Sequence, residues 1–368
     1  MLKNYLNTFD PRKIFILSIL VLCVLGLLMV FSSSSVSGME HHGDYLYFLK
    51  RQSFFLLVGL IFFFVCSKID TDLIEKKYKL FYLVGIVMLL LVFVPILGKT
   101  AGGGTRWINL IAFSFQPIEI TKYMLLIFMA QHLAKKGTRI REFKIGVVSS
   151  ILPFIPYAVL LSMQPDFGNL VLLGATIFTM IIISGARFSH IFSIFVLLSA
   201  SFVSLIWIAP YRMKRLLAFL DPYGDPEGSG WQIIQSYIAL AKGQWFGVGL
   251  GNSTQKLFFL PHQHNDFIFS IIAEELGIIG SSIFILLFVC LIYSGFKMID
   301  RAKDMFIRNL MAGIVIITSL QIIINISVTV GLLPTKGMPL PFISYGGSSL
   351  VFTLMSMGLI LALDKKRK

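Results

Sequence analysis

The stretch PHQHNDFIF, residues 261–269, changes from polar to apolar within a few positions. It closes the longest polar break in the sequence, which begins at Tyr211, and it places the carboxylate of Asp266 directly before an apolar run. A carboxylate at the edge of a hydrocarbon layer is partly desolvated, and desolvation raises its pKa toward neutrality. Asp266 is therefore the first candidate for a catalytic base.

The composition predicts a polytopic membrane protein. Of the 368 residues, 56% are hydrophobic and 14% are charged, with a mean hydropathy of +0.83, whereas soluble domains carry about 25% charge. Windows of roughly twenty apolar residues, enough to cross a bilayer, recur ten times. We expect an all-α protein in which residues 1–368 form a single bundle, with a large loop, residues 210–266, between spans 7 and 8. The predicted spans are 14–32, 53–67, 80–98, 118–134, 145–162, 169–185, 189–209, 267–295, 309–330 and 346–363.

The distribution of lysine and arginine predicts the orientation. With both termini in the cytoplasm, 21 of the 32 basic residues fall on the cytoplasmic side, as the positive-inside rule requires. The loop that ends at Asp266 then faces outward. We attribute the net charge of +14 mainly to anchoring on anionic membrane lipids and expect no nucleic-acid partner. The three cysteines fall within predicted spans without metal-ligand spacing and are expected to be buried apolar groups.

Three outward-facing loops carry most of the functional information. The glycine loop, residues 98–117, contains three consecutive glycines and Arg106. The long loop, residues 210–266, opens with basic residues and contains apolar positions at helical spacing over 231–240, which predicts a helix lying on the membrane surface. The proline loop, residues 332–349, has three prolines and three glycines, and this composition excludes a regular helix over most of its length.

Motifs in these loops resemble a known family. They are PTKG at 334–337 with SYGGSS at 344–349, APYR at 209–212 with Asp221-Pro222, and DFIF at 266–269 with EELG at 274–277. Together they resemble the SEDS family (shape, elongation, division and sporulation), and the resemblance covers nearly the whole chain. PTKG and the segment GLGNSTQK, residues 249–256, are more similar to the cell-division branch than to the elongation branch, although the two share a fold and a chemistry.

The resemblance implies polymerisation of lipid II, the undecaprenyl-pyrophosphate-linked disaccharide peptide. A sugar hydroxyl of one molecule attacks the anomeric carbon of another's muramoyl sugar, undecaprenyl pyrophosphate leaves, and the linkage inverts. The resemblance also implies a class B penicillin-binding protein transpeptidase and other division proteins as partners, and a location in the cytoplasmic (inner) membrane at the division septum. An elongation-type polymerase is the near alternative.

The resemblance assigns the role of catalytic base to Asp266; a helix N-cap is the alternative role. Family members often carry Glu-Ala-His-Thr-Asp where this chain has residues 262–266, so His262 replaces a carboxylate. Because pyrophosphate leaves readily, one base with cations should suffice. Arg212, Arg215 and Lys336 are expected to hold the pyrophosphate, unless they only extend to lipid phosphates. The other candidate substrate-binding residues are Arg106, Gln232, His264 and Ser344.

A divalent cation such as Mg²⁺ could share the neutralisation of the leaving group. A zinc site built on His262, His264 and Asp266 is weaker, since it has no fourth ligand. The sequence requires neither metal, and the identity of any bound metal stays open.

The main alternative is a lipid II flippase or ion-coupled transporter. Glu274 and Glu275 follow Asp266 by eight and nine residues, about 12 Å along a helix, and ionisable groups at such depth are rarely idle. With Glu119 and Lys122 they could form a proton relay, or all four could be paired packing groups. Polar residues concentrate at the outer face, which favours an enzyme over a transporter, and over a non-catalytic scaffold.

Overall fold

The computed structural model describes residues 10–101, 104–110, 113–193, 195–196, 207, 210–257, 265–335 and 337–366. Two compact units make up the chain, and neither is a continuous segment. The first contains Met1–Val58, Leu198–Ser294 and Gln321–Leu350, and the second contains Gly59–Leu197, Gly295–Leu320 and Val351–Lys368.

Helices dominate the described residues. Six are long and apolar enough to cross a membrane, including the predicted first span and the last. Each predicted span other than 189–209 overlaps a described helix, while 189–209 lies largely outside the described residues. The helices are α1 Pro11–His42, α2 Tyr47–Cys66, α3 Thr71–Lys76, α4 Tyr78–Leu91, α5 Ile118–Ala134, α6 Phe154–Met163 (continuous with a π-helical start at Phe143–Val148), α7 Phe167–Ile183, α8 Pro210–Leu220, α9 Trp231–Gly243, α10 Ile268–Ile299, α11 Met305–Thr329 and α12 Gly347–Lys365.

Helix α1 shows how local sequence sets these boundaries. Asp10 caps its N-terminus by accepting a hydrogen bond from the Arg12 amide, and Pro11 occupies the first helical position, where its missing N–H costs nothing. Gly43 ends the helix in the left-handed region, with φ of 69°. The 32 residues between them extend about 48 Å, which exceeds the thickness of the hydrocarbon core.

The prediction of an all-α protein is wrong in the glycine loop. Residues 98–115 form a three-stranded antiparallel sheet in the order β1 (Gly98–Ala101), β2 (Gly104–Leu110) and β3 (Phe113–Phe115). The segment is rich in threonine, tryptophan, isoleucine and phenylalanine, which favour strands. Of the glycines in this loop, Gly98 begins β1 and Gly104 begins β2.

Helix α10 in the first unit is broken at Gly277, whose φ and ψ of 67° and −168° are not helical. The segment 244–249 fills the break. The amides of Val248 and Gly249 donate to the carbonyls of Glu274 and Glu275, and the amides of Ile278 and Ile279 donate to the carbonyls of residues 244 and 245. Backbone groups freed by the break are thus paired by protein, as a nonpolar environment requires.

Two further predictions for the first unit are confirmed. A helix, α9, occupies the predicted surface-helix segment, and the described part of the proline loop contains no regular helix before α12 begins at Gly347. The buried face of α9 carries Ile233, Ser236 and Ala239, whereas Ile238 is exposed. Of the other apolar positions that indicated the helix, Trp231 and Ile234 are partly exposed.

Candidate active site

Asp266 lies two residues before α10 begins at Ile268, close to the start of the predicted span at residue 267. Its main-chain carbonyl accepts a hydrogen bond of 2.9 Å from Nδ2 of Asn325 on α11. Its carboxylate approaches Gly337 in the proline loop: a Cβ added at Gly337 would lie 3.3 Å from Oδ2 of Asp266. Gly337 has a φ of 62°, a conformation that favours glycine. Glycine at this position therefore leaves space for the carboxylate.

The proline loop is tied to the residue before Asp266. Ser344 is buried, its hydroxyl donates to the carbonyl of Asn265 at 2.5 Å, and the same oxygen accepts the amide of Leu340 at 2.7 Å. The predicted candidate Ser344 therefore supports the backbone next to Asp266.

Arg215 connects the start of the long loop to the same region. Its Nη1 donates to the carbonyl of Thr335 at 2.9 Å, while its side chain is exposed. Arg215 therefore lies beside the PTKG motif, as a cation that holds a leaving group next to this loop should. The backbone of Arg212 belongs to α8, but its side chain, together with Lys336 and His264, lies outside the described residues.

Gln232 is on the first turn of α9 and is partly exposed. Arg106 lies on β2 in the second unit, where its guanidinium donates to the carbonyls of Gln164, at 3.2 Å, and Pro165. Asp166 caps α7 by accepting hydrogen bonds from the amide and side chain of Asn169. Burial raises the pKa of Asp166, against the opposing influence of Asn169 and Arg106.

A polar stripe on α11 was not predicted from the sequence. Gln321, Asn325 and Thr329 recur every four residues on one face of this apolar helix. Gln321 donates to the carbonyl of Pro339 at 2.9 Å, and Asn325 donates to the carbonyl of Met338 at 2.7 Å in addition to that of Asp266. The stripe therefore fixes the proline loop and Asp266 to one rigid element. Amides at i and i+4 in a membrane helix are the signal that could have revealed it.

The orientation of the Asn325 amide is determined by its partners. Both bonds require N–H donors because both partners are carbonyl oxygens. Oδ1 of Asn325 is then buried without a hydrogen-bond partner among the described residues. Since an unsatisfied buried acceptor is costly, the two bonds to the carbonyls must outweigh that cost.

Glu274 and Glu275 anchor the end of the long loop. Glu274 is fully buried and accepts from Ser253 Oγ, from the amide and hydroxyl of Thr254 at 3.0 Å each, and from the amide of Gln255 at 3.3 Å. Four donors on one carboxylate make this a strong tether for the segment that leads to Asp266.

Glu275 is likewise fully buried. It accepts from Ser32 Oγ on α1 at 2.7 and 2.6 Å and forms an ion pair of 3.1 Å with Lys256. In the second unit, Glu119 and Lys122 form a buried ion pair of 2.7 Å. All four residues of the predicted relay are therefore engaged with nearby partners, which corresponds to the packing alternative.

No group of three or more histidine, cysteine, aspartate or glutamate side chains capable of holding a metal occurs among the described residues. His262 and His264 of the predicted zinc cluster lie outside them.

The six helices among the described residues that are long and apolar enough to cross a membrane are typical of a polytopic membrane protein. The chain belongs to the cell cycle protein family of FtsW, RodA and SpoVE, whose model matches residues 12–368.

Relatives and a solved structure agree with this assignment. The chain is 39% identical to the probable peptidoglycan glycosyltransferase FtsW of Marinomonas mediterranea, covering 96% of this chain and 88% of the relative. It is 38% identical to stage V sporulation protein E of Bacillus subtilis, covering 97% of each. A chain in the solved structure of a peptidoglycan synthase complex, concerned with the coordination of polymerization and crosslinking, matches with a TM-score of 0.80 and 26% identity, over 96% of this chain and 97% of that one.

Proposed function

We propose that this protein is an inverting peptidoglycan glycosyltransferase that polymerises lipid II at the outer face of the cytoplasmic membrane during septal wall synthesis. Family membership and the glycosyltransferase relatives support the reaction class. The several membrane-crossing helices support access to a lipid-linked substrate. The similarity to FtsW relatives favours division over lateral growth.

One observation carries the proposal: three segments far apart in sequence meet around Asp266 in a single unit. Arg215 bonds Thr335, Gly337 lies against the Asp266 carboxylate, and Ser344 bonds the backbone at Asn265. A potential base, Asp266, and a cation, Arg215, thus both lie against the proline loop. Attack on an anomeric carbon that carries a pyrophosphate leaving group requires both: a base for the acceptor proton and a cation for the leaving group.

In the proposed reaction, the acceptor hydroxyl oxygen bonds to the anomeric carbon of the donor as its proton passes to a carboxylate oxygen of Asp266. The carbon–oxygen bond to pyrophosphate breaks with its electron pair, and undecaprenyl pyrophosphate leaves. Arg215, with Arg212 and Lys336 from the same segments, would stabilise the charge that develops on the pyrophosphate. A base positioned in this way contributes about 10²- to 10⁴-fold in rate.

The remaining substrate-binding assignments, Arg106, Gln232, His264 and Ser344, are part of the proposal, with Ser344 acting through the backbone it supports. A divalent cation such as Mg²⁺ would assist with the pyrophosphate charge. We further propose a class B penicillin-binding protein as the partner that crosslinks the product. The similarity to a chain of a peptidoglycan synthase complex supports this partnership.

The test is polymerisation of purified lipid II by the purified full chain, with the transpeptidase partner present. Asp266→Asn should lower the rate by about 10²- to 10⁴-fold. Asp225→Asn is the matched control, because Asp225 is an exposed residue of the same loop whose carboxylate accepts from the amide and hydroxyl of Ser229 in its own turn. Polymer formed by Asp266→Asn at the wild-type rate would refute the proposed base. Transfer of lipid II across liposomes without any polymer would instead indicate a flippase.

A further inference from the structure

A cluster of aromatic rings lies where α1 ends and α2 begins, and the proposed mechanism does not use it. The His42 ring stacks on that of Tyr47 at 3.7 Å with an interplanar angle of 14°. Phe48 packs edge-on against His42, Tyr47 and Tyr345, with centroid distances of 5.9, 5.2 and 5.1 Å. These four rings, with Arg51, are called the ring cluster below.

Arg51 adds a cation to the rings. Its guanidinium lies over the Tyr47 ring, 5.5 Å from the centroid, and its Nη1 donates to the Tyr47 hydroxyl at 2.7 Å. The outer members of the stack, His42 and Arg51, are exposed, while Tyr47 is half-buried. The ring cluster therefore offers flat surfaces and a positive charge to the exterior of the first unit.

A buried glutamine fastens the ring cluster to the proposed active site. Gln52, one residue after Arg51, is 1% exposed. Its Nε2 donates to the carbonyl of Ser344 at 3.1 Å, and its Oε1 accepts the amide of Gly346 at 3.3 Å. These bonds hold the backbone on both sides of Tyr345. Ser344 in turn donates to the carbonyl of Asn265, next to Asp266. The side chains of Gln52 and Ser344 therefore link the rings to the proposed base.

We propose that the ring cluster binds the acidic glycopeptide strand that grows at Asp266. This inference rests on the proposed function. The apolar C–H face of a sugar ring packs against flat aromatic and guanidinium surfaces, and Arg51 attracts the carboxylates of the stem peptides. A polymerase that retains its product between additions needs such a surface continuous with its active site, and the Gln52–Ser344 link provides that continuity.

The competing explanation is an aromatic anchor at the membrane interface, which binds lipid headgroups. The chain contains a matched control for it. Tyr45 lies two residues from Tyr47, is 56% exposed, and takes part in none of the ring contacts found among the described residues. A membrane anchor would use both tyrosines, whereas the ring cluster uses only Tyr47.

The experiment measures binding of a fluorescent, lipid-free, uncrosslinked tetrasaccharide carrying stem peptides to the full chain in nanodiscs. Asp266→Asn is the background, so that no turnover occurs. His42→Ala, Tyr47→Leu and Arg51→Gln should each weaken binding by about 2- to 10-fold, and Tyr45→Leu should not. If Tyr47→Leu fails to fold, Tyr47→Phe keeps the ring, loses the bond to Arg51, and should weaken binding less than His42→Ala.

A second probe, the same tetrasaccharide with its lactyl carboxyl groups capped as neutral amides in place of the peptides, tests the charge. Its affinity for the parent protein should be lower than that of the intact probe, and Arg51→Gln should weaken its binding less than it weakens binding of the intact probe. Unchanged binding in all ring-cluster variants, or equal loss in Tyr45→Leu, would overturn the inference. A wild-type chain that polymerises lipid II but binds neither probe would overturn it while leaving the proposed function intact. A chain that does not polymerise would instead defeat the proposed function.

Discussion

Replacing Asn325 with leucine should loosen the proposed base from the helix that holds it. The Asn325 amide joins two chain segments, because its N–H groups donate to the carbonyls of Asp266, at 2.9 Å, and Met338, at 2.7 Å. The side chain is 3% exposed, so water does not readily replace it. Leucine has nearly the same volume and fills the site without either donor.

The expected cost follows from these contacts. Each buried carbonyl left without a donor costs about 1–3 kcal/mol. Leucine also removes the buried Oδ1, which has no partner among the described residues, and this relieves a cost of similar size. The net loss is about 1–3 kcal/mol, which increases local opening around Asp266 and Met338 by about 5- to 150-fold. Misplacement of a reacting group by about 1 Å costs about 10²-fold in rate.

Two measurements check this prediction. Hydrogen exchange should accelerate at the amides beside Asp266 and Met338, and the polymerisation rate should fall without a change in membrane insertion. Gln321→Leu is the control, since Gln321 lies one turn earlier on the same helix and donates to the carbonyl of Pro339, so its effect on the rate should be smaller. Wild-type polymerisation by Asn325→Leu, or equal losses in the two variants, would show that Asn325 does not position the base.

Three further outcomes are expected. Gly337→Ala forces a Cβ to within 3.3 Å of the proposed base at a φ of 62°, so its turnover number should fall about 3- to 10-fold; Gly346→Ala, where the nearest atom is 3.6 Å away, should polymerise normally. Glu274→Gln places an amide N–H₂ against donors and should accelerate hydrogen exchange at 253–255; unchanged exchange would show that this carboxylate does not tether the segment. Burial lowers the pKa of Lys136 from 10.5 to about 8. Between about pH 8 and pH 10.5 the Lys136 side chain is protonated in the unfolded chain but not in the folded chain, so the free energy of unfolding should rise with pH. When unfolding is measured over a pH series, this rise should be absent in Lys136→Met.

Much of the architecture was readable from local sequence. Apolar windows of bilayer length predict helices, because a backbone inside the membrane must satisfy its own hydrogen bonds. The change in polarity at 261–269 located Asp266 at a helix start, and the proline content of 332–341 excluded a helix there. The sheet at 98–115 was missed because the apolar spans alone were used to predict an all-α protein, although the segment is rich in residues that favour strands.

The candidate site, too, could be predicted only in part from local sequence. The residue types that the chemistry needs, a carboxylate with arginine and lysine, can be recognised in the outward loops because such groups are rare in an apolar chain. Which of them share a site cannot be read from spacing, since Arg215 and Thr335 are 120 positions apart. Glu274 and Glu275 suggested a relay by their depth, but the folded chain surrounds both with donors.

The amino-acid sequence by itself determined the class of the molecule, the approximate places where its helices begin, and the carboxylate that is the candidate base, because these depend on local polarity and backbone chemistry. Only the tertiary structure decided that α10 breaks at Gly277, that the α11 stripe holds Asp266, and that Gln52 joins the ring cluster to the proline loop. Those features are hydrogen bonds between distant segments, and their partners are chosen by packing in three dimensions.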